Sequence, residues 1–204
     1  MKASAVNRLA PVALIAVAVS LALAGCTSDS LATRYNSSDA NSNYVSPDGT
    51  TKTIAPADRG AAVRWSGTTD RDAKVSSGDY LGKVVVLNFW YADCPPCRAE
   101  AASLEKLNGE YSTKGVVFVG VNVENTAPTA LSFEKAHGVT YPSILDATDG
   151  SVRLAFAGKF SPSAIPTTLI IDAKGRVAAR FTGLITSPSL VGTVIDATLA
   201  ESSS

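Results

Sequence analysis

Histidine occurs once in this chain of 204 residues, at His137, and cysteine three times, at Cys26, Cys94 and Cys97. A structural zinc site usually draws four ligands from those two residue types, so the sequence is poorly supplied for metal chemistry. So few cysteines also exclude a scaffold stapled by several disulfides. Net charge is missing as well: 18 Lys and Arg balance 18 Asp and Glu. No basic surplus invites nucleic acid, and the length suits one compact domain.

What is present gathers in one stretch, Val84-Val-Val-Leu-Asn-Phe-Trp-Tyr-Ala-Asp-Cys94-Pro-Pro-Cys97-Arg-Ala-Glu100. The run Val84 to Trp90 is almost continuously apolar and rich in β-branched and aromatic residues, which predicts a strand covered on both faces in a mostly parallel sheet. Two cysteines follow with Pro95 and Pro96 between them. If a helix begins at Cys94 or Pro95, the prolines fall in its first turn, where a missing N–H breaks no helical hydrogen bond. A thiol at that end faces unpaired donors and the positive end of the helix dipole, so its thiolate is favoured. The second thiol, one turn on, is close enough to close a disulfide by exchange. Two blander readings compete. Half a zinc site lacks the other ligands, and a purely structural disulfide closing so short a loop gains little. A redox-active pair fits better.

Cys26 stands apart from that pair. Lys2 and Arg8 make a basic start, Ala10 to Ala24 an apolar core, and Leu23-Ala24-Gly25-Cys26 a small-residue cleavage site. The row resembles the bacterial lipoprotein signal, which implies a cut before Cys26 and a lipid on that cysteine. Ordinary secretion and an uncleaved anchor are the alternatives, but the core contains Pro11 and is shorter than the roughly 20 apolar residues of a spanning helix. Removing residues 1–25 takes Lys2 and Arg8 with it and leaves 16 basic against 18 acidic residues, a formal charge of −2. The expected organisation is a signal peptide over 1–25, a lipidated cysteine and flexible tether over 26–60, and a folded domain over 61–204. The tether is expected because its Ser, Thr, Asn and Asp offer little apolar burial against the entropy of ordering.

Within the domain, Ala61 to Trp65 suggests a short strand. A helix from about Pro95 to Asn108 follows the central strand, Val116 to Val121 reads as a second buried strand, and a helix starting near Pro128 ends at Gly138. Tyr141 to Leu145 reads as a short extended piece and Val152 to Phe156 as a helical turn. Ile165 to Asp172 and Val177 to Phe181 form a hairpin around Ala173-Lys174-Gly175, and a last helix starts at Pro188 with Ser187 as cap. The order predicts an α/β fold, a mixed central sheet with helices on both faces.

From Ala61 to Leu199 the sequence resembles the thioredoxin fold, and within it the membrane-anchored thiol-disulfide oxidoreductases TlpA, ResA and DsbE. The residues that carry the likeness are Asn88 to Glu100 and Ile165-Pro166-Thr167-Thr168, with Val121 to Glu124 and the following helix matching that subfamily's central insert. The resemblance implies Cys94 as an exposed nucleophile, Cys97 as the buried resolving thiol, Pro166 as a cis-proline facing the disulfide, and Glu100 as an acid that manages the thiol protons. It places Trp90, Pro95, Ile165 and Pro166 on the surface that receives partner proteins. It implies no cofactor, and as partners protein cysteines such as those of apocytochrome c, with a membrane thiol carrier of the CcdA or DsbD type. Two positions depart from the pattern. Asn88 stands where cytoplasmic thioredoxin has a buried aspartate, and Asp93 where thioredoxins and many relatives have tryptophan. An aspartate beside Cys94 opposes its thiolate and removes an aromatic platform. The expected activity is reduction of protein disulfides on the outer face of the cell membrane. The alternatives are a disulfide donor, a peroxiredoxin-like enzyme, which would need a threonine-bearing pocket at Cys94, and a non-enzymatic lipoprotein binding module.

Overall fold

In a computed structural model, the described residues are 32, 33, 35, 43–158 and 164–202. In chain order they form β1 (Tyr44–Val45), β2 (Thr51–Thr53), β3 (Ser66–Thr68), β4 (Lys74–Ser76), β5 (Val85–Trp90), α1 (Pro95–Ser112), β6 (Val117–Asn122), α2 (Ala127–His137), β7 (Ser143–Leu145), α3 (Ser151–Ala155), β8 (Thr167–Ile171), β9 (Val177–Thr182) and α4 (Pro188–Ser202). Seven strands make one sheet in the order β1-β2-β9-β8-β5-β6-β7, and β3 with β4 makes a separate pair. β5, β6 and β7 run parallel and the rest antiparallel, so the sheet is mixed and β5 lies inside it between β6 and β8.

Alternation along β5 divides the core in two. Val86 and Trp90 face one side with Leu104 and Leu107 of α1, Phe133 of α2, and Leu190, Val194 and Ile195 of α4. Val85, Leu87 and Phe89 face the other side with Trp65, Ile144, Val152 and Phe156. All six residues of β5 are buried, which is why its sequence reads as a continuous apolar run. Asn88 shares the α1 side by the same period of two, so its amide must find partners there.

The described part of the segment expected to be a tether packs on the sheet instead. Among its described residues, β2 pairs antiparallel with β9 (Thr51 opposite Phe181, Thr53 opposite Ala179), and β1 pairs with β2. Ser46, Thr51, Thr53 and Ala55 are buried, as is Tyr35, which meets Tyr44 edge to face at 5.7 Å. Backbone pairing and the burial of Tyr35 against the core together hold this edge. Cys26 lies outside the described residues. Ala61 to Trp65 is not a strand: the pairing starts one residue later, at Ser66, while Trp65 is buried and stacks on Tyr80 at 5.7 Å. Gly67 lets that pair press on the sheet, because a Cβ there would lie 2.3 Å from Ile144 Cγ2. Ser187 caps α4 through Leu190 N–H (3.3 Å), with Pro188 opening the helix.

Candidate active site

β5 delivers the chain to the rim of the sheet at Trp90. The turn Tyr91–Cys94, closed by Cys94 N–H on Tyr91 O at 3.3 Å, then leads into α1. Cys94 is the N-cap, extended rather than helical, and Pro95 and Pro96 occupy the first helical positions. Cys94 and Cys97 are joined as a disulfide with their Cα atoms 5.3 Å apart. Because two prolines precede it, the N–H of Cys97 is the first the helix can offer, and it donates to Cys94 Sγ at 3.2 Å. One donor and the dipole of an 18-residue helix therefore act on that sulfur. The two sulfurs are not told apart by exposure. Cys94 is 1% and Cys97 3% exposed, so the expected exposed nucleophile is covered in the disulfide state. Their difference is positional, Cys94 outside the helix and Cys97 inside its first turn.

Glu100 lies one turn beyond Cys97 and points inward, 1% exposed. Its carboxylate accepts from Asn88 Nδ2 and from the backbone N–H of Ile185, each at 3.0 Å. Burial pushes its pKa up to about 7, against the pull of those two donors. Asn88 also donates to Thr168 Oγ1 at 3.0 Å, tying β5 to β8. Asn88 and Cys97 line a cavity of only about 10 Å³. Glu100 is thus linked through Asn88 to the wall of the space beside the inner sulfur.

The Ile165–Pro166 peptide bond is cis. Phe89 pairs with Thr167, so Pro166 stands one step further along that register, level with the end of β5. Pro166 O accepts from Gly183 N–H at 2.8 Å, joining this turn to the loop that carries Ile185. Pro95 is exposed and Ile165 half-buried, so both reach the surface. Trp90 does not. It is 4% exposed, donates to Ser143 Oγ at 3.2 Å and packs on Phe133 at 4.3 Å, because its place in β5 turns it under α1 and α2. The expectation that it meets substrate is corrected. Asp93 is exposed beside Cys94.

Two features near the site carry no motif. Ser143 Oγ donates to Glu134 Oε1 (2.8 Å), and Glu134 also holds Arg71 (2.7 Å), whose guanidinium reaches Asp70 at 3.3 Å. Burial first, then the Asp70 carboxyl beside it, push Glu134 up to about 8. The second is an asparagine pair, Asn122 and Asn125, at the end of β6. Asn125 Oδ1 accepts the Ala92 N–H at 2.7 Å. An Asn-x-x-Asn after an apolar strand was the available signal, since asparagine favours turns that bond their own backbone.

Comparison with known proteins agrees with this architecture. The Redoxin family model matches residues 47–195. The chain is 34% identical over 113 residues to the thiol-disulfide oxidoreductase ResA of Bacillus subtilis (strain 168), covering 55% of this chain and 60% of that protein. It is likewise 34% identical over 105 residues to ResA of Halalkalibacterium halodurans, covering 52% and 57%. The chain thus spans about three fifths of these curated relatives. Among solved structures it resembles a secreted thiol-disulfide isomerase of Corynebacterium glutamicum (TM-score 0.67, 28% identity, 77% of this chain and 97% of that one). A DsbF homologue from Corynebacterium diphtheriae is similar at TM-score 0.63 and 33% identity over 76% and 98%. Fold, cysteine pair and sequence converge: the chain belongs to the Redoxin family and is similar within it to thiol-disulfide oxidoreductases of ResA and DsbF type.

Proposed function

We propose that this protein is an extracytoplasmic thiol-disulfide oxidoreductase that reduces protein disulfides, those of apocytochrome c among them. The observation that carries the reading is the Cys94–Cys97 pair at the start of α1, with Cys94 Sγ on the Cys97 N–H and Glu100 buried behind it. The names of its relatives, ResA and a secreted isomerase, support it. In the reduced form the Cys94 thiolate attacks one substrate sulfur. A bond forms from Cys94 to that sulfur, the substrate disulfide breaks, and its other sulfur leaves as a thiolate that takes a proton from water. Cys97 then gives up its proton, for which the buried Glu100 carboxylate one turn away is the acceptor, and attacks Cys94 Sγ. The mixed disulfide breaks, the second substrate sulfur leaves as a thiolate that takes a proton from water, and two electrons have passed from the cysteine pair to the substrate. A membrane thiol carrier of the CcdA or DsbD type returns the pair to the dithiol. Pro95 and Ile165 form the surface that meets the partner chain, with the cis-Pro166, buried in the disulfide state, beneath it, and a lipid on Cys26 keeps the domain at the outer face of the membrane.

The reducing direction follows from thiolate supply. Strong oxidants hold their reduced form through a very stable thiolate, whereas Pro95 and Pro96 remove two N–H groups here and Asp93 adds a negative neighbour. Equilibration of the Cys94/Cys97 pair with a glutathione or dithiothreitol series decides. A potential near about −250 mV supports the reductant, and one near about −120 mV makes the protein a disulfide donor.

A further inference from the structure

In a parallel ladder each strand donates and accepts at alternate residues, so the rungs between β5 and β6 recur every two positions. Val117 N–H bonds Val84 O at 3.0 Å at one end, and Val123 N–H bonds Trp90 O at 3.0 Å at the other. The next donor in this series is the N–H of Ala92, and the acceptor in register would be the carbonyl of Val123. That rung is made differently. The side-chain oxygen of Asn125 takes the Ala92 N–H at 2.7 Å, shorter than the last backbone rung.

Asn125 is itself held in place. Asn122, fully buried and paired with Trp90 in the ladder, accepts the N–H of Asn125 at 2.6 Å and of Glu124 at 3.2 Å. Its amide returns a bond to Asn125 Oδ1 at 3.1 Å. The corner between β6 and α2 is thereby folded back so that one oxygen receives both Ala92 N–H and Asn122 Nδ2. Ala92 stands two residues before Cys94, in the turn that sets where Cys94 Sγ lies relative to the Cys97 N–H. With both prolines lacking donors, that N–H is the one backbone group in the first turn able to stabilise a Cys94 thiolate, and a small rotation of the turn would forfeit it.

We propose that Asn125 is a positioning residue for the thiol exchange: by substituting its side chain for a strand rung, it fixes the Ala92 amide and so the seat of Cys94 over the Cys97 N–H. The inference rests on the redox reading above. It also makes the β6–α2 corner, whose Glu124, Thr126 and Pro128 are exposed, a part of the active site.

The test uses Asn125→Ala in the reduced and oxidised full-length protein. Three quantities are measured: hydrogen exchange of the Ala92 amide, the titration of Cys94 by thiolate absorbance, and the pH profile of exchange with a glutathione-capped peptide disulfide. The expected result is loss of Ala92 protection, a Cys94 titration moved to higher pH and a several-fold slower exchange at pH 7. Asn125→Asp, which keeps an acceptor oxygen, should restore the amide protection. Should the alanine variant fail to fold, Asn125→Ser, whose hydroxyl is too short to reach Ala92, reads the same quantities. Loss of protection with an unmoved titration and pH profile would reduce Asn125 to a structural tie and overturn the proposal, as would an unchanged Ala92 amide. Absence of exchange by the wild-type protein would instead refute the oxidoreductase reading, so the two failures are distinct.

Discussion

Glu100→Gln tests the coupling of a buried acid to this fold most directly. Burial takes Glu100 from an ordinary 4.5 to about 7, so between those values the folded protein holds a proton that the unfolded chain has released. The stability this provides is fully present below about pH 4.5 and is lost as pH rises through 7. At about 1.4 kcal/mol per tenfold, the interval is worth roughly 3 kcal/mol. Glutamine abolishes the titration but offers one carbonyl oxygen where Asn88 Nδ2 and the Ile185 N–H both seek an acceptor, a loss of about 1 kcal/mol. The variant should therefore be less stable than wild type by about 1 kcal/mol at pH 3, where Glu100 is protonated in both states, nearly equal to it at pH 5, and more stable by about 2 kcal/mol at pH 9. Urea unfolding of the oxidised proteins at pH 3, 5, 7 and 9 reads this as a crossing of the two midpoints at constant slope. Glu134, also raised by burial, acts in both proteins and cancels in the comparison. Midpoints that differ by the same amount at every pH would show that Glu100 does not titrate in this range and would refute the proton transfer assigned to it.

Two further outcomes are expected. Cys97→Ala should accumulate mixed disulfides with partner proteins and Cys94→Ala should not, as non-reducing gels would show, because only Cys94 lies outside the helix; the opposite pattern would reverse the two roles. Gly120→Ala should cost about 3 kcal/mol, since a Cβ there would lie 2.2 Å from Ser143 Oγ and 2.8 Å from Trp90 Nε1. An unchanged urea midpoint would mean that the Trp90–Ser143 bond is not the tight contact described.

Much of the sheet was legible because its strands are buried on both faces and their residues advertise it. β5, β6 and the β8–β9 hairpin stand within about two residues of where periodicity and turn chemistry put them. α1 runs four residues past the expected Asn108, since Gly109 does not end it and Tyr111 anchors its last turn on Gly192 O and Asp196. The strands β1 and β2 were missed because serine and threonine carry little apolar signal; Ser46 Oγ and the Thr51 backbone hold that corner with hydrogen bonds that hydrophobic patterning does not register. The cysteine pair at the start of a helix was readable from the motif, whereas Thr168 and Ile185, the partners of Asn88 and Glu100, lie some eighty residues away. The inward turn of Trp90 depends on Ser143 and Phe133, some fifty and forty residues away, and no local pattern encodes it.

The two margins of the sheet bear on how the domain avoids pairing with neighbouring chains. A long unpaired strand offers a row of free amides to any neighbouring chain and is a route to aggregation. Here β9, six residues long and mostly buried, would form such a margin, but β2 covers it, and the outermost strand, β1, is two residues long. At the opposite margin β7 has only three residues, and Ile144 is already bridged by Thr69 from the β3 side. Among the described residues neither margin presents more than a few free groups in line, so the domain has little backbone with which to engage other chains by accident.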